Sequence, residues 1–106
     1  MTIEKVLGER KNTHGNFIDT CVVTQALVQQ LYVGSNYSTM HPAQAESLHM
    51  ICHKMARIVC GDPNFADHWV DIEGYANLVI NKLLATSNMR ALQEVATQAK
   101  LDPKKK

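Results

Sequence analysis

From about Pro42 to Val59 the apolar residues Ala45, Leu48, Ile51, Cys52, Met55, Ile58 and Val59 recur every three or four positions. A strand cannot use that spacing, whereas a helix gathers it into one wide stripe. Pro42 suits the first turn of such a helix, and Gly61-Asp62-Pro63-Asn64 stops it, glycine after the last turn and proline soon after. The same period marks a stretch from about Asn16 to Val33, with Phe17, Cys21, Thr24, Leu27, Val28 and Leu31 on one face. A shorter helix is expected over Ile3 to Lys11. A fourth is expected from Phe65 to Ser87, carrying Trp69, Ile72, Ala76, Val79 and Leu83, and a fifth from Met89 to Lys100.

These elements predict an all-α chain, a small bundle of four or five helices. Its centre is an antiparallel hairpin of the third and fourth helices, joined at Gly61 to Asn64. The expected core is Phe17, Leu27, Leu48, Ile51, Met55, Ile58, Trp69, Ile72, Ala76 and Val79. At 106 residues the chain has room for one core, so a single domain is expected over residues 1–100. Lys100 and Lys104 to Lys106 supply four of the eleven basic residues, and residues 101–106 read as a basic, flexible tail.

Composition narrows the function classes. Net charge is +1, and without the C-terminal lysines the body is slightly acidic, which disfavours nucleic acid as a partner. No apolar stretch has bilayer length and the N-terminus lacks the pattern of an export signal, so a cytoplasmic protein without a membrane partner is expected. Cys21, Cys52 and Cys60 are odd in number with no short paired spacing, the usage of reduced thiols rather than of a disulfide framework. The third helix is apolar around more than half its circumference, which predicts a homo-oligomer, most simply a dimer.

Three constellations carry candidate chemistry. Lys54 and Arg57 on the third helix face Asp67, Asp71 and Tyr75 on the fourth, the latter three at successive steps of four. They read as an interhelical ion-pair network, or as cations held by Asp71 to receive an anion. His49 and His53 lie one turn apart; the spacing admits a shared metal, but Met50 stands where a zinc protease places its glutamate, and a surface or interface role competes. Arg10, Lys11, Thr13, His14, Gly15 and Asn16 enter the second helix through a glycine turn, either a phosphate cradle at the helix start or a cap by Thr13 or Asn16. No catalytic constellation, metal site or cofactor site is predicted.

Thr13-His14-Gly15-Asn16-Phe17, the K-x-x-R of Lys54 and Arg57, Gly61-Asp62-Pro63, and the D-x-W-x-D-I-x-G-Y run from Asp67 to Tyr75 recur in order in a family the chain resembles. It is a family of small phage and prophage proteins, and the likeness covers roughly residues 7 to 85. It implies a phage origin and the cytoplasm of an infected bacterium, and implies no activity. Phages also encode small oligomeric proteins that sequester nucleotide signals of bacterial immunity. A sponge of that kind uses cations and aromatics such as Arg10, His14, Lys54, Arg57, Trp69 and Tyr75.

The expected function is therefore non-catalytic binding of a nucleotide-type molecule at Arg10, Thr13, His14, Gly15, Lys54, Arg57, Trp69, Asp71 and Tyr75. Two alternatives stand beside it: an inhibitor that binds a host protein, and an enzyme akin to the all-helical nucleoside triphosphate pyrophosphohydrolases. The second needs converging carboxylates for magnesium, where this chain offers only Asp19 on its second helix and Glu46 alone on its third.

Overall fold

The computed structural model describes residues 2–101, with side chains for residues 2–98. Four α-helices and one 3-10 turn follow in order: α1 (Ile3–His14), α2 (Phe17–Leu31), the turn Tyr37–Thr39, α3 (Pro42–Cys60) and α4 (Ala66–Leu101). No strand occurs among the described residues, so the chain is all-α. Contacts divide it into two units, Met1–Ala76 and Asn77–Lys106. Apart from Leu101 at the end of α4, the expected tail of residues 101–106 lies outside the described residues.

Local chemistry sets the boundaries. The Thr2 hydroxyl accepts from the Lys5 amide at the start of α1, and Asn16 Oδ1 accepts from the Ile18 and Asp19 amides at the start of α2. At α3 His41 Nδ1 accepts from the Ala43 amide while Gln44 Oε1 accepts from the His41 amide, with Pro42 at the first helical position. These bonds satisfy donors that a helix start otherwise leaves without partners.

Two expectations change here. The fourth and fifth helices are one helix: the Ser87-Asn88 step holds neither glycine nor proline, and α4 runs through it. The principal partner of α3 is α2, not α4. The α2–α3 pair is antiparallel, since Gly15, just before α2, abuts Cys60 at the end of α3, while Tyr32, just after α2, sits 6.0 Å from the His49 ring. The loop that makes the hairpin is thus the one holding Tyr37–Thr39.

The buried apolar core consists of Val28, Cys52, Ala56 and Ile58. Ile58 was expected there, and Leu27, Ile51, Ile72, Ala76 and Val79 are half-buried. Phe17, Leu48, Met55 and Trp69 are exposed, Phe17 to 76%. The reason is register: α3 buries Ser47, Cys52, Lys54, Ala56 and Ile58, of which Ser47, Cys52 and Ala56 are small and let neighbouring backbones approach, while Leu48 and Met55 fall at the edge of the buried face. In the second unit Leu78, Ile80, Leu83, Leu84, Met89, Leu92 and Val95 are exposed along α4.

One crossing ties the first unit together. Gly15 takes φ 85°, and a Cβ there would stand 2.6 Å from the Cys60 carbonyl carbon. A Cβ on Gly61 would collide with the Thr13 carbonyl oxygen and lie 2.7 Å from the Gly15 nitrogen. The C-terminal ends of α1 and α3 therefore meet backbone to backbone, a contact only glycine permits.

Candidate functional site

That crossing closes one end of a groove of about 880 Å³ between α1, α2 and α3. The volume lies within the range of small-molecule sites. From α3 the groove receives His49, Met50, His53 and Arg57, a stripe at steps of three and four. From α1 come Val6, Leu7, Arg10, Lys11 and His14, and α2 supplies Phe17, Thr20, Cys21, Thr24, Gln25 and Val28, with Tyr32 beyond its end.

The lining is charged with one sign. Arg10, Lys11 and Arg57 face it together with three histidines, and no aspartate or glutamate does, although the whole chain carries only +1. The crowding is felt by the groups themselves. Burial, then Arg57, His68, Arg10 and Lys54, hold His14 below the ordinary histidine value. Burial, then Arg57 and Lys54, do the same to His53. Arg57 is lowered by burial and by Arg10, with Asp71 and Tyr75 acting in the opposite direction. An anion entering such a field relieves repulsion as well as making contacts.

The two threonine hydroxyls on the α2 wall are already engaged. Thr20 Oγ1 donates to the carbonyls of Asn16 (2.8 Å) and His14 (3.2 Å), and Thr24 Oγ1 to the Thr20 carbonyl at 2.8 Å. The donors left for a ligand include the cations of α1 and α3 and the Gln25 amide. At the opposite end of the α3 stripe the walls are aromatic. Tyr32 packs edge-on against Tyr37 with centroids 4.9 Å apart, and the Tyr37 hydroxyl hydrogen-bonds His49 Nε2 at 2.9 Å.

Of the residues expected at the site, Arg10, His14, Gly15 and Arg57 line this groove together. Thr13 stands behind it: its hydroxyl lies 2.6 Å from His14 Nδ1 and its carbonyl accepts from the Asp62 amide and from His68. Lys54, one position and about 100° from His53, turns away to pair with Asp71, Nζ to Oδ2 at 3.0 Å. Of the expected network the geometry shows one pair, Lys54–Asp71, while Arg57 lines the groove. Trp69 donates from Nε1 to the Pro63 carbonyl at 2.8 Å and clasps the α3–α4 turn, and Tyr75 is half-buried on α4. Neither these two nor Asp71 lines the groove.

At the glycine turn the cap reading holds, because Asn16 already takes two of the first amides of α2. The groove adds Phe17, Tyr32, His49 and His53, which the expected nucleotide site lacked, and takes in Lys11 from the expected phosphate cradle. The signal for two of them was present: His49 and His53 continue the stripe of Arg57 at steps of four. Among the described residues no three of His, Cys, Asp or Glu converge as metal ligands. The three cysteines are free, and burial pushes the Cys52 thiol up. No helix among the described residues is long and apolar enough to cross a membrane. No family model matches the chain, and neither does any curated protein or solved structure.

Proposed function

We propose that this chain is a non-catalytic binder of a small phosphorylated, nucleotide-type anion, which it holds in the α1–α2–α3 groove. The observation that carries the reading is the lining itself: Arg10, Lys11, Arg57 and three histidines with no carboxylate among them. Arg57 is half-buried beside Arg10, and an anion seated between them would offset their repulsion and take charge-assisted hydrogen bonds from both. The pyrophosphohydrolase alternative lacks, in this groove, the carboxylates with which magnesium is held. Together with the resemblance to phage and prophage proteins, the fitting role is sequestration of a nucleotide signal of host immunity in the bacterial cytoplasm.

Self-association belongs to the same proposal, with the exposed Leu84, Met89, Leu92 and Val95 of α4 in its support. Light scattering at micromolar concentration tests it, and a monomer would count against it. A second reading, inhibition of a host protein, draws on the exposed Phe17, Ile18 and Val22 at the start of α2. The deciding experiment incubates the protein with linear and cyclic nucleotides and chromatographs the solution before and after heat denaturation. A sponge depletes one compound and returns it intact on heating, whereas an enzyme returns products. If nothing is depleted, the host-protein reading takes precedence.

A further inference from the structure

The groove has two chemically different ends, and the α3 stripe measures the distance between them. His49 and Arg57 are eight positions apart on one helix face, about 12 Å along the axis, with His53 midway. At the Arg57 end stand Arg10 and His14. At the His49 end stands the Tyr32 ring, 6.0 Å from the imidazole at 79°, so that two nearly perpendicular rings, both lining the groove, form a corner. Tyr37 braces that corner, against Tyr32 by its ring and against His49 by its hydroxyl.

Resting on the reading above, we infer that the groove binds a nucleoside 5′-phosphate in one orientation, its phosphate against Arg10, His14 and Arg57 and its base in the Tyr32–His49 corner. Inorganic phosphate fills one end and a free nucleoside the other, whereas a nucleoside phosphate spans both with a single loss of translational freedom. His53 then lies beside the sugar, half-buried and within the same positive field. Stacking in the corner is tolerant of base identity, because every base presents a π-face. Phe17 is the competing aromatic: it lines the groove at the cationic end, where a base seated on it would leave the Tyr32 corner empty.

Calorimetric titration of the full chain with the four common nucleoside 5′-monophosphates, adenosine and inorganic phosphate tests the assignment, with circular dichroism confirming that each variant is helical. At least one monophosphate should bind tenfold or more tightly than either fragment. Arg57→Gln should weaken monophosphate and inorganic phosphate at least tenfold and leave adenosine unchanged. Tyr32→Ala should weaken monophosphate and adenosine about fivefold and leave inorganic phosphate unchanged, and Phe17→Ala should change none of the three. If a monophosphate binds and the Tyr32 variant is neutral while the Phe17 variant weakens it, the orientation is wrong and the binding function stands. If no monophosphate binds and the broader nucleotide panel is also untouched, the function itself falls. If only cyclic or larger nucleotides bind, the function stands and the ligand class inferred here is overturned.

Discussion

The imidazole of His68, at the start of α4 and 1% exposed, meets the Thr13 carbonyl near the end of α1 with Nε2 at 2.7 Å. A carbonyl only accepts, so Nε2 carries the hydrogen. The ring also packs edge-on against His14, centroids 4.8 Å apart, and against Phe65 at 4.9 Å. Replacing His68 by Ala should cost about 2–4 kcal/mol, the sum of a cavity and a lost buried hydrogen bond. His68→Leu is closer in volume, loses the hydrogen bond with little cavity and should cost less, and urea unfolding of both separates packing from hydrogen bonding.

The glycine crossing makes a sharper prediction. Gly15→Ala and Gly61→Ala each drive a Cβ into backbone atoms, with positive φ adding to the strain at Gly15, so each should destabilise by about 3 kcal/mol or more. Gly8 and Gly74 are exposed helical glycines where an added Cβ would meet no neighbour within 4 Å, and their alanine variants should stabilise by about 0.5–1 kcal/mol. Equal melting temperatures across the four variants would contradict the backbone contact.

At the Lys54–Asp71 pair only one partner is buried: the lysine side chain is 11% exposed and the aspartate 48%. Asp71→Ala therefore strands a desolvated ammonium but leaves its position within reach of water. The expected cost, about 1–3 kcal/mol, lies between those of an exposed and a fully buried pair. Lys54→Met, which removes the buried charge, should cost less than Asp71→Ala, as chemical denaturation of the two will show.

Acid should act on stability and on binding in opposite directions. His14 and His53 are held below the ordinary 6.5, so between that value and their folded values the unfolded chain binds more protons than the folded one. Their contribution to stability is complete above about pH 6.5 and is lost as pH falls through 6.5 toward the lower folded values. A bound phosphate favours the protonated rings, so affinity should rise over the same window with proton uptake. Melting curves and calorimetry in buffers of different ionisation heat read the two effects. Affinity that does not vary with pH would remove His14 from the phosphate end.

Helix positions were legible because their signals are local: apolar period, caps, Pro42, and the Gly61-Asp62-Pro63 stop each act within one or two turns of chain. The expected starts of α1, α3 and α4 lie within one residue of those observed. The break expected near Ser87 had only a weak change of composition behind it, and a helix needs a stronger reason to end. That Arg10, His14, Gly15 and Arg57 come near one another was legible as a candidate, because cations crowded at a turn and along a helix face are visible in the sequence.

Which neighbour each face meets was not legible. Spacing by four places Asp67, Asp71 and Tyr75 on one stripe of α4, yet says nothing of whether that stripe borders a groove or an ion pair. The one-residue step from His53 to Lys54 separates a groove residue from a structural cation, and only the rotation of α3 against α2 chooses between them. Tyr32 and Phe17 joined the groove through the antiparallel α2–α3 pairing, a contact between distant segments. Sequence by itself determined that this chain is helical, where its helices begin, and that its cations cluster. Tertiary structure alone decided which cations share a space without a carboxylate, because the packing of small residues and glycines at the helix crossings sets how the faces are turned.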